Sequence, residues 1–507
     1  MSAAATVPLS HYGLHWFRRD LRVVGNPALE WSRQRHEGRV LGLFCFDHQF
    51  LARPDFSANR FAFFLETLAA LRTDLRRLGG DLLVLDVGPR AAFSAVLGAL
   101  GERGLLLPES ISFNRDYEPF ARQRDADIAA WLPKTFGVTV HSECDHLLVE
   151  PHELRRDGGG FYQIYTPFAK RWFALVRQPH VQARIAAQRA ALQQHEAARS
   201  TASAGPRFAL TWPRVFGGAL PLADHLERYR QEHVPRATVP LPAAGFAAAR
   251  TRLGEFLHNK LTLYAERRDI PAAAGTSQLS IYLKNGSLTS AQILAALGDV
   301  PVDFGERDGP TTFLREIAWR EFYYHILYHC PQVEHEAFLP RFRQLSWPNR
   351  EDWFAAWQRG LTGYPIVDAG MRQLQQTGWM HNRVRMIVAS FLTKDLLVDW
   401  RWGERYFMQQ LLDGDLAPNN GGWQWAASTG CDPQPYFRVF NPTLQGRKFD
   451  PQGEYIRRYV PELRHLPDKF LHEPAAAGAL ADYPRPLVDH KRQAALAVAL
   501  YRQPRGS

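Results

Sequence analysis

Between residues 13 and about 145 the chain alternates short apolar runs with longer stretches whose apolar residues recur every three to four positions. The short runs, Leu14–Phe17, Val40–Phe46, Leu82–Val87, Ser110–Asn114 and Val138–Ser142, predict strands. Between them, Arg60–Leu78 carries Phe61, Phe64, Leu65, Leu68, Leu71 and Leu75 on one stripe, which predicts a helix. Strand and helix in alternation predict an α/β unit built on a doubly wound parallel sheet, covering residues 1–145. From 246 to 480 the apolar period is helical almost throughout, so an all-α unit is expected there. Residues 146–245 read as an interdomain connector with some helix, through Ser200-Thr-Ala-Ser-Ala-Gly-Pro206 and a proline-punctuated stretch up to Pro242. Residues 481–507 read as a C-terminal tail holding a short helix.

The length of 507 residues fits two or three domains, and 46% hydrophobic residues suffice for large cores. No run of apolar residues is long enough to span a membrane, and Met1-Ser-Ala-Ala-Ala-Thr-Val-Pro8 has no basic stretch ahead of an apolar core, so no signal peptide is expected. Cys45, Cys144, Cys330 and Cys431 lie far apart without a C-x-x-C. That spacing excludes a zinc ribbon, gives no metal site and fits free thiols in a reducing cytoplasm. A net charge of +10 favours a polyanionic partner, although arginine outnumbers lysine and an arginine-rich proteome would have the same effect.

The densest chemistry is Asp413-Gly-Asp-Leu-Ala-Pro-Asn-Asn-Gly-Gly-Trp-Gln-Trp425. Tryptophan is readily oxidised by one electron and stacks on flat ligands, glycines admit a planar partner close to the backbone, and carboxylates beside amides can bond ring and hydroxyl groups. A plain helix–helix turn with Trp423 and Trp425 in the core is the alternative. Upstream, Gly275-Thr-Ser-Gln-Leu-Ser-Ile-Tyr-Leu-Lys-Asn-Gly286 sets hydroxyls and backbone N–H groups ahead of a helix, a place for a pyrophosphate or simply a cap. In Phe313-Leu-Arg-Glu-Ile-Ala-Trp-Arg-Glu-Phe-Tyr-Tyr324, Glu316, Trp319, Arg320 and Tyr323 share one helix flank. Thr362-Gly-Tyr-Pro-Ile-Val-Asp-Ala-Gly-Met-Arg and Gly378-Trp-Met-His-Asn-Arg-Val-Arg-Met386 follow. No G-x-G-x-x-G follows the first strand, so ordinary dinucleotide binding there has no motif behind it.

These blocks, with His15-Trp-Phe-Arg-Arg-Asp-Leu-Arg22 and Asn114-Arg-Asp-Tyr-Glu-Pro119, together resemble the photolyase/cryptochrome flavoprotein family over almost the whole chain. The match is nearest to its bacterial class I cyclobutane pyrimidine dimer photolyases. The resemblance implies an α/β antenna unit and a helical unit holding FAD bent into a U. Excited reduced FAD gives one electron to a flipped-out dimer, the cyclobutane ring splits and the electron returns. Carried over, Tyr264, Thr276, Ser277, Gln278, Leu279 and Ser280 would grip the FAD phosphates. Asn382, Arg385, Asp413, Gly414, Asp415 and Asn419 would line the ring and ribityl chain, with Asn419 facing flavin N5, where a neutral amide tolerates both neutral and anionic flavin. Glu316 would bond the dimer bases, Trp319 and Trp425 would wall it, and Met386 would pack on its far side. Arg268, Arg320, Arg383, Arg438 and Gln445, with Asn382, would meet the damaged DNA. Trp423, Trp400 and Trp347 match the family's electron-relay tryptophans, whereas Trp353 and Trp357 match no relay position and read as core.

The resemblance further implies a cytoplasmic monomer that joins the nucleoid when bound to DNA. Two departures stand out. The family usually carries Thr-Ser-Arg-Leu-Ser-Pro where this chain has Gln278 and Ile281, removing one phosphate-neutralising charge that Lys284 could replace. Folate-binding members carry Asn-Glu at Phe120-Ala121 and Cys-Lys at Val333-Glu334, so a folate antenna lacks its ligands, leaving a deazaflavin, a flavin or none. A signalling cryptochrome is disfavoured by Asn419, by Glu316 and Trp319, and by the lack of a long tail. Repair of (6-4) photoproducts is disfavoured because Asn382 and Met386 stand where paired histidines are expected.

Overall fold

The computed structural model describes residues 11–200, 208–298, 303–478 and 482–502. Five parallel strands form one sheet in the order β3-β2-β1-β4-β5: β1 Gly13–Trp16, β2 Val40–Cys45, β3 Leu82–Leu85, β4 Ser110–Asn114 and β5 Thr139–Glu143. β1 to β4 are buried along their whole length, as expected of parallel strands covered on both faces. The helix Ala58–Arg77 starts where Ser57 Oγ accepts from Arg60 N at 3.2 Å, and it lays Phe61, Leu65, Leu68, Leu71 and Leu75 on one face of the sheet. The winding reverses between β1 and β4, and that switch point opens a crevice at the carboxyl ends of the strands.

The connector is more ordered than its composition predicts. The helix Pro179–Ser200 buries Val181, Ile185 and Leu192 in the core of the helical unit. Beyond residues 201–207, which lie outside the described part, Trp212 is buried in the core of the sheet unit and donates from Nε1 to Gly42 O at 2.8 Å. The short helix expected in the tail is His490–Arg502, which buries Ala497, Leu500 and Tyr501 against Phe342 and Leu397.

The motif His15–Arg22 fastens the two units together. Arg19 reaches Glu118 at 2.6 Å, Tyr324 Oη at 2.7 Å and Asp415 at 3.0 Å, while Arg22 binds Asp145 at 2.9 Å. Burial would by itself raise the Asp415 carboxyl, but Lys284, Arg19 and Arg320 hold it well below the usual carboxylate range.

Candidate active site and cofactor pocket

Asp413 is the hub. Its carboxylate accepts from Arg385 Nη2 at 2.9 and 3.1 Å and from Ser280 Oγ at 2.6 Å. One buried side chain thus joins the start of the helix Ser280–Asn285, the helix Asn382–Ser390 and the segment entering the helix Leu416–Ala426. In the loop before Ser280, Thr276 and Ser277 are half-buried, Leu279 is buried, and Gln278 adopts the left-handed region at φ 53°. Tyr264 is buried edge-on to Phe256 and Phe313.

Asn419 is oriented by its neighbours. Its Nδ2 donates to Glu404 Oε1 at 3.0 Å and to the Glu404 carbonyl at 3.1 Å. A backbone carbonyl only accepts, so the nitrogen must face Glu404 and the amide oxygen must point the other way. Glu404 itself is pushed up to about 7 by burial, which its bond to Asn419 only partly offsets. Sequence reasoning missed Glu404. Its position four residues after Trp400 is the one signal in the chain that could have found it, since both sit on the helix Trp400–Gln410.

The residues expected to meet substrate, Glu316 and Trp319, sit on the helix Gly309–His329, which abuts the Leu416–Ala426 helix at Gly421. A Cβ on Gly421 would lie 2.0 Å from Tyr323 Cδ1, so only glycine permits this approach. Trp319 lies about one turn before Tyr323 on the same helix and Glu316 about two turns before it. Glu316 accepts from Arg268 at 2.7 Å, and burial raises its carboxyl despite that partner. Trp319 stacks on Tyr165 at 3.6 Å and 6°, while Tyr165 Oη is anchored on Arg315 O at 2.8 Å. One face of the indole is therefore held, and Phe322 and Tyr323 pack around it at 5.6 and 5.5 Å. Tyr165 carried no sequence signal of this role.

Asn382 is exposed, with Nδ2 3.9 Å from Met386 Sδ. Arg383 binds Asp269 at 2.8 Å and lies 4.4 Å over Phe449, beside the helix Pro442–Phe449 that carries Gln445. Arg438 is exposed next to Phe437, itself 64% accessible. Trp425 is half-buried near Phe440.

Three expected placements come out differently. Arg320 is turned inward to His146 O at 3.2 Å and towards Asp415, so it is not on a DNA-facing surface. Asp415 is committed to Arg19, Lys284 and Tyr324, and Lys284 is thereby spent on Glu118 and Asp415 instead of on a phosphate. Gly414 faces Arg60 of the sheet unit, where a Cβ would stand 2.3 Å from Nη1. For Asp415 and Gly414 the reason is that the sheet unit docks on this side of the 413–416 segment, and sequence order does not reveal docking; Arg320 is taken by His146 at the start of the connector.

Trp423 is buried, edge-on to Phe407 at 4.9 Å and to Trp357 at 6.1 Å. A Cβ on Gly403 would strike its ring at 2.2 Å, so the helix headed by Trp400 crosses directly over it. Asp399 N donates to Asn349 Oδ1 at 2.8 Å, tying the Trp347 loop to the start of that helix. Trp347 is half-buried and meets Tyr501 edge-on at 6.1 Å. Trp353 stays half-buried under Arg350, and Trp357 is fully buried with Nε1 donating to Val388 O at 3.1 Å.

A second cavity of about 430 Å³ occupies the switch-point crevice between the units. Trp16, Phe46, Phe61 and Phe120 wall it, and Ala121 and Glu334 also line it. Val333 is buried, its carbonyl accepting from Asn420 and Gln424.

A parallel α/β unit docked on a helical unit with oriented amides and buried indoles is the architecture of a protein that holds a nucleotide cofactor. Residues 13–187 match the family model described as DNA photolyase, and residues 313–503 match the FAD binding domain of DNA photolyase. The chain is 39% identical over 499 residues to the deoxyribodipyrimidine photo-lyase of Salmonella typhimurium, covering 96% of this chain and 98% of the relative. A bacterial class III photolyase from Agrobacterium tumefaciens superposes with a TM-score of 0.82 at 35% identity, covering 99% of both chains. An archaeal photolyase from Sulfolobus tokodaii, solved with two FAD molecules, gives a TM-score of 0.75 at 29% identity over 97% of this chain and 99% of that one. The chain belongs to the DNA photolyase family. FAD is its cofactor, and the donor set fits one: hydroxyls and backbone N–H groups for phosphates, and an outward amide oxygen with the Arg385–Asp413 pair for a polar ring edge.

Proposed function

We propose that the chain repairs cyclobutane pyrimidine dimers in DNA, using light. The observation carrying this reading is the Gly421–Tyr323 contact, which packs the helix bearing Glu316 and Trp319 against the helix Leu416–Ala426 that holds Asn419 and Trp425. FAD, when bound and reduced, supplies a photoexcitable one-electron donor. Trp319, backed by Tyr165, offers a stacking wall for a flipped base, and Trp425 a second. Glu316, steered by Arg268, offers a carboxyl to the pyrimidine edge. Arg383, Arg438 and Gln445 lie where phosphates flanking the lesion would run. The Asn419 oxygen, fixed by Glu404, accepts from a ring N–H. The dimer gains an electron and returns it, so no net oxidation is required of the protein. Trp423, Trp400 and Trp347 form the route by which oxidised cofactor regains electrons from the surface.

The relatives named as deoxyribodipyrimidine photo-lyases support this substrate. The test is illumination of chemically reduced protein with DNA carrying either cyclobutane dimers or (6-4) photoproducts. Disappearance of the first alone is expected, and repair of the second alone would replace the assignment.

The switch-point cavity favours a second chromophore as antenna. Its aromatic walls suit a flat ring, and Phe120 and Ala121 stand where folate ligands are expected. Chromophore extracted from purified protein should be flavin-like in absorbance, and a stoichiometric folate band would refute this part.

A further inference from the structure

Gln278 leaves the phosphate-gripping loop without its usual arginine, and the structure has already spent Lys284 elsewhere. A different cation stands beside the vacated position. Arg252, half-buried on the helix Gly245–Asn259, reaches Gln278 Oε1 from Nη1 at 3.4 Å. Gln278 is held in the left-handed region at φ 53°. Leu253 and Phe256 anchor the buried face of the Arg252 helix, so the guanidinium's position is set by packing. Lys260, just past the end of the same helix, is half-buried, and its ammonium is lowered first by burial and next by Arg252. Among the described residues neither Arg252 nor Lys260 forms an ion pair with a carboxylate. Almost every other cation near this site is matched: Arg385 with Asp413, Arg268 with Glu316, Arg383 with Asp269, Lys284 with Asp415. A guanidinium with no carboxylate at ion-pair distance lacks a neutralising partner in the empty protein, and an anion set against it would supply one.

We infer that Arg252 replaces the missing loop arginine as the cation that neutralises the pyrophosphate of FAD. The charge has moved from the loop to the neighbouring helix, and Gln278 steers the guanidinium. The inference rests on reading Thr276–Ser280 as the phosphate grip. It concerns binding alone, and Arg252 has no part in electron transfer.

The experiment titrates full-length protein with FAD and, separately, with riboflavin, following flavin fluorescence. Loss of a charge-assisted contact to phosphate should weaken FAD binding by Arg252→Gln about ten- to a hundredfold. Riboflavin, which has no phosphate, should bind the variant and the unaltered protein equally. Adding Gln278→Arg to Arg252→Gln returns the arginine to the loop and should recover most of the lost FAD affinity. Thr276→Ala tests the loop reading alongside. Unchanged FAD affinity in Arg252→Gln with weakened binding in Thr276→Ala would overturn the Arg252 assignment while keeping the phosphate loop. No weakening in either variant would overturn both. Equal weakening of FAD and riboflavin by Arg252→Gln, with no recovery in the double variant, would make Arg252 a packing residue and overturn the inference as well.

Discussion

The two pockets handle charge in opposite ways. In the switch-point cavity acids and bases close on one another: Arg53 with Asp55 at 2.8 Å, Arg18 with Asp125 at 2.6 Å, Arg19 with Glu118 at 2.6 Å. What remains for a ligand is the aromatic wall of Trp16, Phe46, Phe61 and Phe120. In the helical unit one carboxylate, Asp413, organises three segments, while Arg252 forms no ion pair with a carboxylate among the described residues and reaches Gln278 instead. The first pocket suits a flat ring recognised by stacking; the second suits an anionic cofactor whose polar edges are met individually. Neutralised walls tolerate exchange of one flat ligand for another, because stacking is weakly directional. A hub carboxylate tolerates little, because each partner depends on the others.

That contrast can be broken most decisively at Trp423. Trp423→Phe keeps an aromatic ring in contact with Phe407 but removes the easily oxidised indole, and should abolish or strongly slow light-driven flavin reduction in purified protein. The same variant, reduced chemically, should repair dimers at nearly the normal rate. Normal photoreduction would remove Trp423 from the relay, and lost repair after chemical reduction would move it into the catalytic site.

Asp413→Asn should be next. It leaves Arg385 without its anion, and unpairing one partner of a buried pair costs about 3 kcal/mol, the low end of the range because Arg385 is partly accessible. Purified protein should lose most of its FAD and melt earlier. Phe120→Ala, in the other pocket, should leave FAD content unchanged. Equal FAD loss in both variants would mean the pockets are not independent.

Trp319→Ala removes a stacking wall worth roughly 1–3 kcal/mol per base, so dimer-DNA affinity should drop about ten- to a hundredfold in a binding titration. Unaltered affinity and repair would put the dimer elsewhere.

The smallest effect concerns pH. Glu404 rises from an ordinary 4.5 to about 7 on folding, so the folded state holds its proton more tightly. Its contribution to stability is complete below about pH 4.5 and is lost as pH rises through about 7. The melting temperature should therefore fall more between pH 5 and 8 in the unaltered protein than in Glu404→Gln, where nothing titrates. Identical slopes would show that Glu404 does not titrate in this window.

Local pattern was enough for much of this molecule. Apolar runs of strand length in alternation with a helical stripe specified the parallel sheet, since both faces of such a sheet must be covered. The 413–425 segment and the Thr276–Ser280 loop advertised a cofactor site because their side chains are costly to explain as plain core. Tertiary structure decided which of those residues face the cofactor and which face the other unit. Asp415, Gly414 and Lys284 read as site residues in sequence, yet the docked sheet unit takes them for Arg19, Arg60 and Glu118, and Arg320 turns to His146 at the start of the connector. Glu404, Tyr165 and Arg252 read as ordinary helix residues until folding set them against Asn419, Trp319 and Gln278. Periodicity records whether a side chain points inward. Which partner it meets depends on segments tens to hundreds of residues away, and that information exists only once the chain has packed.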